Sequence, residues 1–429
     1  MPNERLKIGY LMQADSVPMD MVSGPQLHVK AVVQGLQQRG HEVRTVAIQH
    51  RQIQWSDDLA NWQPAQFRRS ESRAFRIAER AIRGIQSRLQ LPFFRLFDSF
   101  RFSDACVAAL AGSDVLYERC GILSYGGLIA ARRLRIPLVL ELNGDLLREY
   151  QELGIQLSAA QWHVINRVTR SMYRRADRLV AVSENLRQAL IRDWHLDPEK
   201  VATVPNGADV EMFACPDRRD GARSRYGIKD GPLVILVCSF EPWHGVDLLL
   251  DAYAALASRS SRINLVLVGD GRLRPAMERK AADLHLGHRV VFTGKVAQAD
   301  VASLLGVADV AVVCQRGSEA EAALSPLKLF EYMAAGKAIV AAGAPGIERI
   351  ISDRVNGLLV PAGDPPALAR AVAELIDNDA LRGALGRAAR KQALEKHSWA
   401  RTAEQLESVL RRVTAQGVTK TEKTTIWST

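Results

Sequence analysis

Short apolar runs alternate with segments of helical periodicity from the start of the chain. Runs at 7–12, 42–48, 115–117, 137–141 and 179–182 predict strands. Residues 27–39 carry apolar positions at helical spacing before Gly40 and predict a helix. Strands that alternate with helices indicate βαβ units and a parallel sheet.

The same alternation starts again after a polar stretch. This stretch follows Val204-Pro205-Asn206-Gly207, contains Pro216 and Gly221, and is predicted to be a linker. Further strands are predicted at 233–237, 264–268, 290–292, 310–313 and 338–341, with helices at 246–257, 365–390 and 398–413. We therefore expect two α/β domains: residues 1–205, joined by the helix 398–413, and residues 206–397. The tail, 414–429, is expected to be flexible.

The composition is that of a folded chain outside the membrane. Its 429 residues favour two domains, and 47% hydrophobic and 24% charged residues are ordinary for a globular protein. No apolar run of eighteen residues and no signal peptide are found, so we expect a cytoplasmic protein. Five widely spaced cysteines without metal-ligand spacing indicate buried thiols. The net charge of +10 suits anionic lipid or phosphate ligands as well as nucleic acid, and does not decide between them.

The segment 323–336 carries the clearest candidate chemistry. Ser325 is predicted to cap a helix that starts at Pro326 and ends near Gly336. Lys328 then lies in the first turn, where the helix dipole disfavours a cation unless an anion such as phosphate is bound there. Glu331, three residues later, is positioned to hold ribose hydroxyls of the same ligand. The alternatives are an exposed lysine and a solvated carboxylate.

This segment resembles the signature helix of the retaining family 4 glycosyltransferases. Glu331 matches the second glutamate of the family's Glu-x7-Glu pattern, and Gly336-Lys337-Ala338-Ile339-Val340 matches its continuation. Other matches follow in the family's order: Ala181-Val182-Ser183, Val204-Pro205-Asn206-Gly207-Ala208-Asp209, Leu267-Val268-Gly269-Asp270-Gly271, Val291-Phe292-Thr293-Gly294 and Asn356-Gly357-Leu358-Leu359-Val360-Pro361-Ala362-Gly363-Asp364.

The resemblance implies a GT-B fold, in which two Rossmann-like domains face a central cleft that holds the active site. It implies a UDP- or GDP-linked sugar donor in the C-terminal domain and a glycan or lipid-linked acceptor in the N-terminal domain. Transfer would proceed with retention, by a front-side mechanism, in polysaccharide or glycolipid synthesis. The implied catalytic residues are Lys328, His244 and Asn143. The implied donor-binding residues are Gly24, Pro25, Ser239, Gly269, Ser325, Leu327, Lys328 and Glu331.

Several positions depart from the family's pattern. Ala323 replaces the first glutamate, with Glu319 and Glu321 nearby but out of register. Ser239 and His244 stand where the family has an arginine and a lysine that hold the donor diphosphate, and Asn143 stands where a histidine is usual. We expect Lys328 to supply the missing cation and His244 to donate to phosphate, protonated beside it. A sugar-nucleotide epimerase and a catalytically inactive binding partner remain alternatives.

Some smaller sequence features allow both a functional and a purely structural interpretation. The turn Ser23-Gly24-Pro25-Gln26 either faces the donor phosphate or is only a tight turn before a helix. His28 is expected to be a satisfied core or surface histidine, and Trp243 is expected to pack rather than to stack on a ligand. No Asp-x-Asp follows a strand, so we expect no essential metal ion and no cofactor beyond the nucleotide-sugar substrate.

A basic segment, Arg68–Arg101, lies outside these motifs. Its apolar residues Phe75, Ala78, Ile82, Ile85 and Leu89 recur at helical spacing, and a second stripe holds Arg69, Arg73, Arg76, Arg80 and Arg83. Pro92, Phe93, Phe94 and Phe97 add aromatic anchors. Such a helix is typical of a membrane-surface element, which would place the enzyme at the inner face of the membrane. The alternative is a helix packed on the core with a solvated basic face. Nucleic acid is not expected as a partner.

Overall fold

The computed structural model describes residues 5–14, 17–21, 23–67, 69–88, 96–152, 154–214, 221–316 and 325–426. The chain forms two compact units. The N-terminal unit comprises Met1–Pro205 with Thr402–Thr429, and the C-terminal unit comprises Asn206–Arg401. The change of unit after Pro205 falls where the sequence predicts the end of the first domain.

An eight-stranded sheet forms the centre of the N-terminal unit, in the order β4-β3-β2-β1-β5-β6-β7-β8. The β2–β3 and β3–β4 pairs are antiparallel, and the other pairs are parallel. The strand order changes direction between β1 and β5, which makes this pair the switch point of the sheet. The strands are β1 (Lys7–Met12), β2 (Glu42–Gln49), β3 (Gln52–Ser56), β4 (Gln63–Pro64), β5 (Val115–Arg119), β6 (Leu138–Leu142), β7 (Arg178–Ala181) and β8 (Val201–Thr203).

In the described parts of this unit seven α-helices connect the strands, and serine caps fix the starts of several. Ser158 and Gln161 form a reciprocal capping box, and the Ser183 side chain accepts from the Leu186 amide. The helices are α1 (Gly24–Gln38), α2 (Arg73–Arg88), α3 (Leu96–Ala109), α4 (Gly126–Leu134), α5 (Leu146–Glu152), α6 (Ala159–Arg175) and α7 (Glu184–Trp194).

The C-terminal unit contains a six-stranded sheet, and every strand pair in it is parallel. The order β11-β10-β9-β12-β13-β14 places its switch point between β9 and β12. Apolar clusters bury both faces of the sheet. The strands are β9 (Leu233–Val237), β10 (Asn264–Val268), β11 (Val290–Gly294), β12 (Val310–Val313), β13 (Ala338–Ala342) and β14 (Leu358–Val360).

The helices of this unit differ from the prediction in one place. Residues 365–390 were expected to form one helix, but the helix breaks at Asn378, whose ψ of 89° is not helical. The Asn378 side chain accepts from the Leu381 amide and thereby starts a new helix. The helices are α8 (Ala222–Arg225), α9 (Val246–Arg259), α10 (Arg274–Asp283), α11 (Gln298–Val307), α12 (Leu327–Ala334), α13 (Pro345–Glu348), α14 (Pro365–Asp377) and α15 (Asp379–Lys396).

The last helix, α16 (Trp399–Ile426), returns the chain to the N-terminal unit. It buries Leu406, Val409, Leu410 and Val413 in the N-terminal core. The helix was expected to end near Val413, but it continues to Ile426, so the segment expected to be a flexible tail begins as helix.

Candidate functional site

In the C-terminal sheet the switch point lies between β9 and β12, from which the strand order runs outward in opposite directions. Ligands of doubly wound α/β domains bind outside the carboxyl ends of the strands at such a point. Here Cys238 and Ser239 follow β9, and Cys314 follows β12. The residues predicted to bind the sugar donor should therefore lie near this edge.

Lys328 and His244 meet at this edge. The Lys328 Nζ lies 3.0 Å from the His244 Nδ1. Burial, and then the charge of Lys328, lower the pKa of His244 to about 2. In this arrangement the lysine supplies the charge and the neutral imidazole accepts a hydrogen bond from it, which differs from the expected protonation of His244 beside a phosphate. With Nδ1 as acceptor, the proton of the neutral ring lies on Nε2, which can donate to a ligand.

Local backbone geometry places His244. A short 3-10 turn, Pro242–His244, begins with a proline and ends at Gly245, whose φ is +58°. A Cβ at Gly245 would lie 3.0 Å from the Cys314 Sγ, so the left-handed backbone and the close approach both require glycine. The Trp243 ring meets the His244 ring edge-on, with centroids 6.0 Å apart.

The start of α12 differs from the predicted cap. Pro326, not Ser325, occupies the capping position, and no side chain caps the helix. Ser325 is buried; its Oγ accepts from the Asn206 amide (3.3 Å), and its carbonyl accepts from the Asn206 Nδ2 (3.0 Å). Ser325 therefore anchors the loop to the segment 206–208, and the uncapped helix start keeps its dipole available to an anion.

Glu331 is a buried carboxyl rather than a solvated one. Burial raises its pKa to about 7, and the Lys328 charge opposes the shift. The Gln298 Nε2, at the start of α11, donates to the Glu331 Oε1 at 2.5 Å. Gln298 was not predicted from the sequence, since a single glutamine at a helix start carries no motif. Lys328, His244 and Glu331 thus form one electrostatically coupled group.

The other residues of this unit that were predicted to bind the sugar donor lie around the same strand ends. Ser239 is exposed after β9, and Leu327 is the partly buried first residue of α12. Gly269 follows β10 with a φ of +129°, and a Cβ there would lie 1.9 Å from the Cys238 carbonyl oxygen. The close approach of the Cys238 backbone therefore requires glycine at this position, whether or not a ligand binds there. Ala323, with Glu319 and Glu321, lies outside the described residues.

The turn at Ser23 is already helical. Helix α1 begins at Gly24, three residues before the predicted start, and the Ser23 side chain accepts from the Gln26 amide. Gly24 and Pro25 are exposed in the first turn. The serine cap and the early proline explain the earlier start, since both favour a helix N-terminus.

A buried histidine–glutamate pair lies near Asn143, which follows β6. The His28 Nε2 and the Glu141 Oε1 form a short hydrogen bond, and both side chains are at most 4% exposed. The Tyr10 hydroxyl donates to the Glu141 Oε2 at 3.4 Å. His28 is thus a satisfied core histidine, as predicted. Glu141 itself was missed, although a glutamate inside an apolar strand signals a buried partner.

The described residues were compared with two kinds of feature, a metal cluster and a membrane-spanning helix. No group of three or more histidine, cysteine, aspartate or glutamate side chains is arranged to hold a metal ion in these ranges. Within the same ranges no helix is long and apolar enough to cross a membrane.

Two domain families match the chain. Residues 23–207 match the "Glycosyl transferase 4-like domain", and residues 231–378 match the family described as "Glycosyl transferases group 1". Both units therefore carry a glycosyltransferase domain, in the order expected from the sequence. This chain belongs to the glycosyltransferases.

Named relatives agree with this assignment. An alpha-D-kanosaminyltransferase of Streptomyces kanamyceticus is 26% identical over 68% of this chain and 75% of its own length. A phosphatidyl-myo-inositol mannosyltransferase of Mycobacterium tuberculosis is 32% identical over 59% of this chain and 64% of its own length. The alignments thus span about two thirds to three quarters of these two glycosyltransferases.

Solved structures establish the fold. The Anabaena protein HepE, solved in complex with UDP-glucose, superimposes with a TM-score of 0.69, at 20% identity, over 95% of this chain and 100% of its own. The predicted GT-B class is confirmed by such neighbours, together with the two doubly wound units.

Proposed function

We propose that this glycosyltransferase moves a glycosyl group from a UDP- or GDP-linked sugar to an acceptor hydroxyl, with retention of configuration. The observation that carries the proposal is the Lys328 ammonium in the first turn of α12, beside a neutral His244 at the switch point of the sheet. A cation at the positive end of a helix is unfavourable unless an anion joins it. A departing nucleoside diphosphate is such an anion, and HepE was solved with UDP-glucose.

Each residue of the group has a distinct part in the proposed reaction. Lys328 neutralises charge on the diphosphate as the bond to the sugar breaks, and the His244 Nε2–H donates to a phosphate oxygen. Glu331, held by Gln298, accepts from the ribose hydroxyls. Asn143 and the turn at Ser23 shape the reacting face of the sugar, in a front-side mechanism. Protein groups carry the charge stabilisation, so the proposal needs neither a metal ion nor a cofactor.

The acceptor is proposed to bind the N-terminal domain and to be a glycan or a lipid-linked glycan in cell-surface polysaccharide or glycolipid synthesis. The name of the phosphatidyl-myo-inositol mannosyltransferase indicates a lipid acceptor.

Turnover separates this proposal from its rivals. The protein is incubated with a panel of UDP- and GDP-sugars, first screened by thermal shift, because a ligand that binds only the folded state raises stability. Release of UDP or GDP together with a glycosylated product supports transfer. Conversion of one nucleotide sugar into another without nucleotide release would indicate an epimerase, and donor binding without turnover would indicate an inactive partner.

We further propose that α2 holds the protein at an anionic membrane surface. The structure corrects the predicted stripes in part. Phe75 is partly buried and meets Phe97 edge-on, with centroids 5.5 Å apart. The Arg83 and Arg101 side chains pair with Glu79 and are not available to lipid. Arg68, Leu89, Pro92, Phe93, Phe94 and Arg95 lie outside the described residues.

What remains exposed on α2 still fits a membrane surface. Ile77 is 62% exposed and Ile85 is 54% exposed, on a face shared with small alanines. The exposed arginines Arg73, Arg76 and Arg80 border that face. Exposed isoleucines beside arginines are costly in water but match the boundary between lipid headgroups and acyl chains. The core-packed alternative is not supported by Ile77 and Ile85, although Phe75 does pack inward.

A further inference from the structure

The N-terminal sheet has its own switch point, between β1 and β5. Arg119 is the last residue of β5, and its register partner on β6 is Glu141. Asn143 follows two residues after Glu141. Arg119 and Asn143 therefore lie at the carboxyl ends of neighbouring strands, at the edge where doubly wound domains bind their ligands.

Both side chains hold a buried donor that has no acceptor. The Arg119 Nη1 and the Asn143 Nδ2 are shielded from solvent, and neither makes a hydrogen bond to a described residue. The Asn143 side chain interacts with the Glu141 carboxylate and helps to lower its pKa, but its Nδ2 makes no hydrogen bond of normal length and angle. An unpaired buried donor costs about 1–3 kcal/mol, so two on adjacent strands indicate a missing acceptor.

The neighbouring carboxylate, Glu141, already has partners on both oxygens, because His28 binds its Oε1 and the Tyr10 hydroxyl donates to its Oε2. Burial alone would raise the pKa of Glu141, but the charge and hydrogen bond of His28, followed by the charge of Arg119, outweigh burial and lower it. Glu141 is thus ionised and paired with His28. Among the described residues no ion pair joins the Arg119 guanidinium to a carboxylate, although its charge acts on Glu141 at longer range.

We propose that Arg119 and Asn143 bind an anionic oxygen group, a carboxylate or a phosphate, carried by the acceptor. This rests on the proposed transfer reaction for the identity of the ligand, but not for the presence of an anion site. The two unpaired atoms, the Arg119 Nη1 and the Asn143 Nδ2, are N–H donors, and carboxylate and phosphate are the oxygen groups that a guanidinium binds in a bidentate manner. Glu141 and His28 act as positioning residues, since their pairing keeps Glu141 from capturing Arg119.

Matched sugars test this assignment by calorimetry. The probes are glucose 6-phosphate and glucuronate, with glucose as the neutral control and inorganic phosphate as the free ion. Each is titrated into the full chain already saturated with UDP or GDP, so that the Lys328 group is occupied. The wild type is expected to bind both anionic sugars more tightly than glucose. Equal or tighter binding of inorganic phosphate would locate recognition in the free ion rather than in an acceptor and would overturn the acceptor assignment.

Variants assign the effect to the residue. Arg119→Gln is expected to weaken binding of the anionic sugars at least about tenfold, equivalent to 1.4 kcal/mol. Arg119→Lys, which keeps the charge but loses the planar fork, should lie between the wild type and Arg119→Gln. Arg132→Gln removes an equal charge from an exposed position of the same unit and should change nothing. Because the Arg119 charge also helps to keep Glu141 ionised, Arg119→Lys, which retains that charge, separates loss of the anion site from loss of stability.

The two proposals fail in different ways. If UDP or GDP binds normally but the anionic sugars bind no better than glucose, or bind Arg119→Gln as well as the wild type, the anion site is wrong and the transferase proposal stands. If neither UDP nor GDP binds, the transferase proposal fails, and the titrations without nucleotide still decide whether Arg119 binds an anion.

Discussion

Lys328 and His244 share one hydrogen bond, 3.0 Å long, between the ammonium and the Nδ1 of the ring. The two residues come from different parts of the C-terminal unit: His244 follows β9, and Lys328 lies in the first turn of α12. In place of the arginine and lysine of the family pattern, the site has one cation, Lys328, and one neutral donor, His244. The proposed reaction therefore uses the Lys328 ammonium as its cation at the diphosphate.

The neutral state of His244 is directly measurable. Because its pKa is lowered to about 2, the ring should keep one protonation state from pH 8 to pH 5. We expect its NMR ring signals, assigned with the His244→Gln variant, to stay constant over this range. A midpoint near the ordinary value of 6.5 would show that the lysine does not face the imidazole as described.

Glu331 is predicted to recognise the ribose and not the phosphates. Glu331→Gln should weaken binding of UDP or GDP about tenfold, within the range for hydrogen bonds to charged groups. It should leave binding of inorganic pyrophosphate unchanged. Since burial raises the pKa of Glu331 to about 7, wild-type affinity for the nucleotide should fall as the pH drops below 7. Equal losses for nucleotide and pyrophosphate would contradict a ribose contact.

Glu118 gives the N-terminal unit a pH-dependent stability. Burial raises the pKa of this fully buried carboxyl from 4.5 to about 8. Between these values the folded state keeps a proton that the unfolded state has lost. The free energy of unfolding should therefore fall as the pH rises, by up to about 1.4 kcal/mol per pH unit.

Glu118→Gln retains a neutral side chain of similar shape and should remove that slope. Urea unfolding at pH 5, 6.5 and 8 measures it, and contributions from other groups are common to both proteins. Parallel pH profiles for the variant and the wild type would show that Glu118 is not buried as a neutral acid.

The membrane proposal predicts salt-sensitive binding to anionic vesicles. Arg73, Arg76 and Arg80 changed together to glutamine should weaken co-sedimentation with anionic liposomes by about 3 kcal/mol, because each basic residue near such a surface contributes about 1 kcal/mol. A control with Arg167, Arg170 and Arg174 of α6 changed to glutamine loses the same charge from an exposed face. Ile77→Ser with Ile85→Ser should remove the binding that persists at high salt. Equal binding to neutral and anionic lipid, or equal losses in the two arginine triples, would reject the proposal.

Periodicity and turn chemistry were enough to predict most of the fold. The strands at 7–12, 233–237, 264–268 and 310–313 have the predicted bounds, because continuous apolar runs between turns define buried parallel strands. Boundaries set by side-chain hydrogen bonds were predicted less well. Asn378 divides one predicted helix into two, and Ser23 starts α1 early.

The site was predictable only where a local rule applied. Lys328 was identified because a lysine at a helix start contradicts the dipole. Gln298, Asn206 and Arg119 were missed, because each acts through a partner far away in sequence, and only the folded chain brings the partners together. The same reason explains Ser325, which suits a cap by sequence but is used by Asn206.

Lys328→Ala tests the central claim most directly. Calorimetric titration with UDP and GDP should show a loss of roughly 1.5–3 kcal/mol in binding free energy, the range for hydrogen bonds between charged groups. Lys229→Ala, an exposed lysine in the same unit, serves as the matched control and should bind as the wild type does. If Lys328→Ala binds the nucleotide with wild-type affinity, Lys328 does not bind the diphosphate and the proposed donor site is wrong.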